Sequence, residues 1–393
     1  MKLLFVYPDV SKSLGVLSKI VSKLNTILEQ PDTIQIEAIF FGNKIDTKAY
    51  SGLNCRVSFV RIETGSSESM LLNQKIFWSI KYENELRRKF DTLTRAIEKI
   101  DADFLIMRDF AMSKSGVAFL KRCQSKFKVV LESNTNIFSE LKMKANKHGA
   151  WYNIEARKEL QYRRKSLKFV NGIIAVTVEL ENLCLALGFE KQKIRVITNG
   201  VKVKKITDLR DRWNPNETLR CVFLAGTSSE WNGIDRLENS LKGYHGKTKL
   251  IVDVYGISSE SLDGPNFELN FIDRLNTQDI STRLSDYHIG ISTLALYKKN
   301  MEEACTLKVR EYLASGLPVL LAYNDIDLDE ESSFVFRVSN DDSRVDFENV
   351  VEWYCNLADT VAISQITNEF ALRKLTYQQK SMEICKFLST ISD

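Results

Sequence analysis

Short runs of apolar residues alternate along this chain with longer stretches in which apolar positions recur every three or four residues. The short runs are rich in Val, Ile and Leu, so they predict buried strands, whereas the longer stretches predict helices. In the first half, the predicted strands are Leu3–Tyr7, Ile36–Phe41, Val57–Arg61, Phe104–Met107, Val129–Glu132, Ile173–Val176 and Ile194–Ile197. Helices are predicted at Ser13–Leu28, Ile80–Ile100, Gly116–Cys123 and Ile154–Phe169. This alternation indicates a parallel sheet covered by helices on both faces.

The same rhythm restarts after a polar segment, residues 202–217, which contains Pro215 and alternating charges. The predicted strands of the second half are Leu219–Leu224, Leu250–Tyr255, Phe267–Phe271, Ile289–Thr293 and Pro318–Ala322, and helices are predicted at Gly233–Leu241, Leu307–Ala314, Phe347–Leu357 and Glu369–Leu388. The predicted fold is α/β, with two Rossmann-like, doubly wound parallel-sheet domains facing a central cleft. We assign 1–201 to the first domain, 202–217 to a linker, 218–368 to the second domain and 369–393 to a C-terminal helix. In such sheets ligands bind beyond the carboxyl ends of the strands.

Length and charge agree with two globular domains and narrow the range of partners. The chain has 393 residues, 44% of them apolar, and a net charge of +4, which does not predict a nucleic-acid binder. One stretch is strongly basic, with cations at Lys142, Lys144, Lys147, Arg157, Lys158, Arg163, Arg164, Lys165 and Lys168. One interpretation is a solvated helix face, and the other is attraction to anionic lipid headgroups or to a polyphosphate-bearing acceptor.

Cysteine and histidine usage gives no indication of a metal site or of a disulfide framework. The seven cysteines are scattered without a Cys-x-x-Cys pair, which is typical of reduced thiols in a cytosolic protein.

The N-terminal apolar run stops at Pro8 and is too short for a signal peptide. No stretch approaches the roughly 18 consecutive apolar residues that span a bilayer. We therefore expect a cytoplasmic protein whose membrane contact, if any, is peripheral.

The segment 301–320 carries the most informative chemistry. Thr306 is a suitable N-cap for the helix predicted from Leu307, and the first amides of such a helix attract an anion such as a diphosphate. Lys308 and Arg310 lie in the first turn, where cations oppose the helix dipole unless an anion binds there. Glu303 and Glu311 would flank that anion and accept hydrogen bonds from the hydroxyls of two sugar rings. An ordinary surface helix is the alternative interpretation.

Glu303 and Glu311 are spaced as Glu-x7-Glu, and Glu-Tyr-Leu-Ala-Ser-Gly-Leu-Pro-Val follows from Glu311. This pattern strongly resembles glycosyltransferase family 4, the retaining enzymes with the GT-B fold. The resemblance implies that Glu311 holds the ribose and that Glu303 contacts the donor sugar and stabilises charge at the reacting carbon. It also implies that the backbone amides of Thr306 and Leu307, with Lys308, bind phosphate. Glu302 is a close competitor for Glu303, but the spacing favours Glu303.

A glycine-containing loop follows the first strand of the second half and resembles the pyrophosphate loop of the same family. It runs from Gly226 to Gly233, with Thr227 and Asn232 at positions where family members often have Arg and Lys. Glycines let the backbone approach a pyrophosphate closely. Gly15, in the loop predicted after the first strand, matches one of two family glycines near the donor phosphate. We count Gly15, Gly226, Thr227 and Asn232 as donor-binding candidates.

Two further segments resemble the family's first domain. Asn199-Gly200-Val201 matches the turn that closes this domain, although Asn-Gly is a common turn sequence. Glu132 and Asn134 follow a predicted strand and match the family's acceptor-side segment. Arg108 ends the preceding strand and is a third acceptor-side candidate. An ordinary strand-end turn is the alternative for these residues.

The sequence thus predicts transfer of a hexose-type unit from a nucleotide diphosphate sugar to a glycan or lipid-linked acceptor, with retention at the anomeric carbon. The family points to surface polysaccharide synthesis. We expect no cofactor and no metal, because we assign no Asp-x-Asp pair to the end of a strand. The rival interpretations are a non-catalytic partner subunit and a sugar-nucleotide epimerase. A nicotinamide dehydrogenase is disfavoured, since no Gly-x-Gly-x-x-Gly follows the first strand.

Overall fold

The computed structural model describes residues 1–30, 33–62, 75–148, 151–206, 217–226, 228–273, 280–357 and 360–392. The chain divides into two compact units. The first contains Met1–Ile197 and Ser381–Asp393, and the second contains Thr198–Lys380. Most of the predicted linker, residues 207–216, lies outside the described residues.

A seven-stranded sheet forms the centre of the first unit, with the strand order β3-β2-β1-β4-β5-β6-β7. Every neighbouring pair is parallel. The strands are β1 (Lys2–Pro8), β2 (Gln35–Gly42), β3 (Arg56–Arg61), β4 (Phe104–Arg108), β5 (Lys128–Ser133), β6 (Gly172–Ala175) and β7 (Ile194–Val196). The helices are α1 (Leu14–Leu28), α2 (Lys75–Ile97), α3 (Lys114–Gln124), α4 (Ile137–His148), α5 (Trp151–Ser166) and α6 (Val178–Ala186). The order reverses between β1 and β4, as in doubly wound sheets.

The second unit repeats this plan around another seven-stranded sheet, with the order β10-β11-β9-β8-β12-β13-β14. Its strands are β8 (Leu219–Leu224), β9 (Leu250–Tyr255), β10 (Leu262–Gly264), β11 (Phe267–Ile272), β12 (Ile289–Ile291), β13 (Val319–Leu321) and β14 (Val335–Arg337). Only the edge strand β10 pairs antiparallel among the described strands. The helices are α7 (Ile234–Lys242), α8 (Ile280–Leu284), α9 (Leu307–Ala314), α10 (Phe347–Asn356) and α11 (Thr360–Lys374). The last helix, α12 (Tyr377–Ser392), begins in the second unit, and its residues from Ser381 onward belong to the first.

Burial explains why the strands are apolar throughout rather than alternating. Leu3, Leu4, Phe5 and Val6 of β1 are all at most 1% exposed, because helices cover both faces of the sheet. On α1, Leu17, Ile20, Leu24 and Ile27 are buried at helical spacing and pack onto one face of that sheet. The predicted α/β fold with two parallel sheets is confirmed.

Local differences concern short elements and one helix boundary. Sequence periodicity missed β10, β14, α4, α6 and α8, and the two strands among them have only three residues each. The predicted helix Glu369–Leu388 is wrong as one element, since α11 ends at Lys374 and α12 begins at Tyr377. The break arises because the Val201 amide donates to the Leu375 carbonyl (2.8 Å) and Val201 also pairs with Thr376. Further along, the side chains of Phe387 and Leu388 in α12 enter the core of the first unit.

None of the described helices combines the length and apolar composition that crossing a membrane requires.

Candidate functional site

Helix α9 lies beside the carboxyl ends of two strands of the second unit, β8 and β12. The Tyr312 hydroxyl donates to the Ile291 carbonyl of β12 (3.1 Å) and accepts from the Leu224 amide of β8 (2.7 Å), which fixes the helix to both strand ends. A Cβ at Gly290 would lie 2.4 Å from the Tyr312 ring, so this approach requires glycine in β12. The predicted ligand-binding edge of the sheet therefore carries the start of α9.

Thr306 occupies the N-cap position of α9, as predicted, but its side chain does not cap the helix. Its hydroxyl instead lies 2.8 Å from the Tyr323 hydroxyl and 3.4 Å from that of Ser292. No acceptor among the described residues takes the amide hydrogens of Thr306 or Leu307. The helix start thus keeps hydrogen-bond donors that suit an anion.

Lys308 joins two segments that are far apart in sequence. Its Nζ donates to Oδ1 of Asn232 (3.2 Å) and lies 4.1 Å from the centroid of the Phe223 ring. No carboxylate of the described residues pairs with it. Burial lowers the pKa of Lys308 to about 7, because the apolar surroundings disfavour its charged form. A bound anion would restore that charge.

The loop after β8 supplies the other side of this site. Gly226 has φ +70° and open space where a Cβ would stand, so its backbone can be approached closely. Asn232 is buried, and besides accepting from Lys308 it donates to the Ala225 carbonyl (3.4 Å). Thr227, which the sequence analysis counts as a donor-binding candidate, lies outside the described residues.

Glu303 is held by backbone pairing beyond the end of β13. The Ala304 amide donates to the Asn324 carbonyl (3.1 Å), and the Asn324 amide donates to the Glu302 carbonyl (2.9 Å). The Glu303 side chain is half-buried, whereas Glu302 is exposed and accepts from Nδ2 of Asn340 (3.0 Å). The two adjacent carboxylates therefore lie in different settings, one half-buried and one exposed.

Glu311 lies one helical turn after Lys308, on a half-buried face of α9. Burial raises the pKa of its carboxyl to about 7. No side-chain hydrogen bond to Glu311 forms within the described part of the chain. Among the described residues, the Lys308 amine and the Glu311 carboxyl thus lie on successive turns of α9 without pairing with each other. A ligand with both anionic and hydroxyl groups would satisfy both.

Arg310 does not belong to the anion site, contrary to the prediction from its position. It is fully buried and forms ion pairs with Asp325 and Asp327, and its Nε donates to the Asn199 carbonyl (3.4 Å). Asp325 and Asp327 are an Asp-x-Asp pair just after β13, which sequence reasoning overlooked. Arg310 pairs with both of these carboxylates, and its contact with the Asn199 carbonyl links α9 to the turn that contains Asn199.

Asn199 also holds Cys305, the residue that precedes the N-cap of α9. Its amide donates to Sγ of Cys305 (2.9 Å), and its side-chain amide donates to the Cys305 carbonyl. Next to it, a Cβ at Gly200 would lie 2.8 Å from the Tyr377 ring. The Asn-Gly turn was recognised only as a turn, because nothing in the sequence indicates contacts with residues more than 100 positions away.

In the first unit, Glu132 lies in a buried network rather than at an open strand end. It pairs with Lys23 of α1 and accepts from the Tyr7 hydroxyl (2.9 Å), while Lys23 also donates to that hydroxyl (2.6 Å). Burial opposes its ionisation, but Lys23 and Lys19 outweigh burial and keep the pKa of Glu132 below its ordinary value. Its carboxylate is occupied, so we expect it to orient neighbouring groups.

Asn134 and Arg108 are the half-buried acceptor-side candidates around this network. Oδ1 of Asn134 accepts from Lys19 (3.0 Å), and its Nδ2 donates to the Glu132 carbonyl (3.1 Å).

The donor-binding candidate Gly15 was predicted in a loop, but it is exposed within the first turn of α1, because the helix begins at Leu14.

Comparison with known proteins identifies solved structures that have a similar fold. No protein-family model matches the sequence, and a search of curated proteins gives no significant match. Solved structures do match over the whole chain. A sucrose-phosphate synthase from Thermosynechococcus elongatus has a TM-score of 0.67 at 9% identity, covering 100% of this chain and 99% of its own. The lipopolysaccharide outer core galactosyltransferase WaaB has a TM-score of 0.60 at 11% identity, covering 99% of each chain.

Two nucleotide-bound structures share the fold as well. HepE from Anabaena, in complex with UDP and glucose, has a TM-score of 0.61 at 11% identity and covers 99% of this chain and 100% of its own. A UDP-GlcNAc 2-epimerase from Neisseria meningitidis, bound to UDP-GlcNAc, has a TM-score of 0.51 at 14% identity, covering 99% of each chain. The chain therefore has the two-domain GT-B fold, which glycosyltransferases and epimerases share. At such identities the likeness extends to the fold alone.

Proposed function

We propose that the protein is a retaining glycosyltransferase that moves a sugar from a nucleotide diphosphate sugar to a hydroxyl of a glycan or lipid-linked acceptor. The observation that carries this proposal is the uncapped start of α9, where Lys308 has no carboxylate partner in the described residues and Glu311 lies one turn away. A diphosphate and a ribose would satisfy these groups together. The occurrence of this fold in WaaB and in HepE with UDP and glucose supports the same class of reaction.

In this mechanism the second unit stabilises the leaving group. The amides of Thr306 and Leu307 and the Lys308 ammonium would bind the diphosphate as negative charge develops on it. We propose that no metal is needed, since these groups supply positive charge at the phosphate. Glu311 would accept hydrogen bonds from the ribose hydroxyls, and Glu303 would stabilise the oxocarbenium-like carbon. Asn134 and Arg108 of the first unit are proposed acceptor contacts.

An epimerase is the rival that shares the fold, and it would need acid and base groups around the sugar. His245 precedes β9 and His288 precedes β12, so both lie at the amino ends of strands, away from α9. His288 is also engaged, because its Nδ1 accepts from the Arg220 amide (2.9 Å). These placements favour transfer over epimerisation.

Incubation with UDP-, GDP- and ADP-sugars should release the free nucleotide diphosphate from at least one donor series, with or without EDTA. Slow transfer to water replaces the unidentified acceptor, and proton NMR of the released sugar reports whether its anomeric configuration is kept. Conversion of UDP-GlcNAc to its 2-epimer without release of UDP would identify an epimerase. Thermal stabilisation by nucleotide without turnover of any donor would identify a partner subunit, and loss of turnover in EDTA would contradict the metal-free mechanism.

We further propose a cytoplasmic location with peripheral contact between α5 and an anionic membrane. Its exposed side chains include Arg157, Arg164 and Lys165, with Ile154 45% exposed, at spacings that place them on one helical face. Arg163 is not part of this face, because it is buried in ion pairs with Asp109 and Glu159. A cationic face with an apolar residue is typical of helices that lie on anionic lipid.

Reversing three of these charges, in Arg157→Glu/Arg164→Glu/Lys165→Glu, should weaken binding to phosphatidylserine-containing vesicles at least tenfold, since each cation contributes about 1 kcal/mol near such a surface. Vesicle sedimentation measures the effect, with pure phosphatidylcholine as the neutral surface. Lys242→Glu/Lys247→Glu/Lys249→Glu is the matched control, because it makes the same change in net charge at exposed positions of the second unit. Equal losses in both triple variants would contradict a specific role for α5.

A further inference from the structure

A cavity of about 330 Å³ lies at the carboxyl ends of β2 and β3 and is lined by Asn43, Lys44, Ile45, Phe59 and Arg61. We propose that this cavity binds an anionic saccharide unit of the acceptor, a sugar that carries a carboxylate or a phosphate. The inference rests on the proposed transferase function and deepens it by naming the acceptor chemistry. β3 is the edge strand of the first sheet, two strands from β1, so this site is separate from the Glu132 network on β5.

The Phe59 ring forms a fixed apolar platform. It is 38% exposed, and its centroid lies 5.5 Å from that of the Tyr50 ring and 6.4 Å from that of the Phe40 ring. Tyr50 is itself anchored, since its hydroxyl donates to Asp9 (2.7 Å) and accepts from the Val10 amide (2.9 Å). The C–H face of a sugar ring carries partial positive charge and suits the negative face of an aromatic ring.

Two cations without an ion-pair partner in the described residues adjoin this platform. Lys44 and Arg61 are exposed and line the cavity, and none of the described residues that line it is acidic. Arg61 is two residues after Phe59 on β3, so both side chains lie on one face of the strand. By contrast Arg56, on the same strand but the opposite face, pairs with Glu37 (3.4 Å). Within the described part of the chain, the positive charge at the cavity is therefore not balanced by a carboxylate. A guanidinium such as that of Arg61 binds carboxylate or phosphate strongly, because it can donate two parallel hydrogen bonds.

The backbone around these side chains is fixed on both sides, so the site is formed before binding. The Ile62 amide donates to the Gly42 carbonyl (2.8 Å), and the Asp9 amide donates to the Phe41 carbonyl (2.8 Å). Asp46 caps the short 3-10 helix that follows, accepting from the Lys48 amide (3.2 Å). Rigid placement reduces the entropy that a bound ligand must overcome.

Calorimetric titration of the full chain with three tetrasaccharides tests the proposal. The probes are a hyaluronan tetrasaccharide, a phosphorylated maltotetraose and neutral maltotetraose. We expect the anionic probes to bind at least tenfold more tightly than the neutral one, and the better of the two identifies the anionic group. Lys44→Ala/Arg61→Ala should reduce that affinity at least tenfold, and Phe59→Ala should weaken both anionic and neutral probes.

Arg56→Ala is the matched control, since it removes a cation from the same strand outside the cavity, and it should bind as the parent does. Equal binding of anionic and neutral probes, binding of no probe, or an unchanged affinity in Lys44→Ala/Arg61→Ala overturns the proposal. Thermal stabilisation by UDP, GDP and ADP is measured in parallel on every variant. It should stay unchanged in the cavity variants, because the proposed nucleotide site belongs to the second unit. Loss of the nucleotide response there would assign the cavity to the nucleotide instead, whereas failure of the parent to respond to any nucleotide would concern the proposed transferase function alone.

Discussion

Replacing Glu303 by Gln is expected to lower kcat for donor turnover by about 10²–10³-fold while leaving nucleotide binding intact. The substitution keeps the shape of the side chain and removes the negative charge that would face the developing oxocarbenium-like carbon. The ground-state nucleotide makes its proposed contacts elsewhere, with α9 and the loop after β8. Release of nucleotide diphosphate from the active donor measures kcat, and the thermal response to nucleotide measures binding.

Glu302→Gln provides the matched control for this substitution. Glu302 is the neighbouring residue in the chain, but it is exposed and accepts a hydrogen bond from Asn340, so we expect near-parental turnover. A large loss in Glu302→Gln with normal turnover in Glu303→Gln would reverse the assignment. Equal, small effects in both variants would remove any catalytic role for this pair.

Replacing Glu311 by Gln is expected to abolish most of the stabilisation that nucleotide gives. A nucleotide at 100 times its dissociation constant adds about 2.7 kcal/mol to the free energy of unfolding, which chemical denaturation detects readily. The loss follows because a carboxylate accepts from both ribose hydroxyls, whereas an amide offers one acceptor and two donors. Inorganic pyrophosphate, which lacks ribose, should stabilise the variant and the parent alike.

The same substitution should stabilise the ligand-free protein at pH 8. Burial raises the folded-state pKa of Glu311 to about 7, above its usual 4.5. The raised pKa favours folding below about pH 4.5, and this contribution is lost as the pH rises through 7. Glu311→Gln should therefore raise the free energy of unfolding at pH 8 by on the order of 2 kcal/mol and change it little at pH 5. Urea unfolding at the two pH values measures the difference.

Glu369→Gln is the control for both effects of Glu311→Gln. Glu369 is an exposed carboxylate on α11, the helix that packs against α9, so its replacement should alter neither the nucleotide response nor the pH dependence. A Glu311→Gln variant that responds to nucleotide as the parent does would refute the ribose role. A gain in stability at pH 5 equal to that at pH 8 would refute the ionisation of a buried carboxyl.

The fold was largely predictable because it depends on repeated local patterns. Buried parallel strands must be apolar on both faces, so Leu219–Leu224 and Leu250–Tyr255 were predicted with the bounds they have in the structure. Helix α9 was predicted correctly, from its spacing and from the Gly316 and Pro318 that end it. Three-residue strands such as β14 lack enough periodicity to be recognised, and the split between α11 and α12 depends on backbone pairing with Val201, which is distant in sequence.

The candidate site was only partly predictable, because charge alone does not determine which cation faces a ligand. Lys308 and Arg310 looked equivalent in the sequence. The structure shows that Arg310 forms ion pairs with Asp325 and Asp327. Lys308 instead lies over the Phe223 ring and donates a hydrogen bond to Asn232. Likewise, Glu132 was predicted at a strand end correctly, but its pairing with Lys23 on α1 required the packing of that helix onto the sheet.

The sequence by itself determined the succession of strands and helices, the two parallel sheets and the position of a polar helix start after a strand. Each of these follows from residue spacing within about 20 positions. Only the tertiary structure decided which polar groups remain without partners at that start. The Thr306 hydroxyl contacts the hydroxyls of Ser292 and Tyr323, and the Asn199 side chain donates to the Cys305 carbonyl. These contacts form only when folding brings separate segments together. Whether a buried polar group is satisfied depends on neighbours in space, so it is fixed only when the chain has folded.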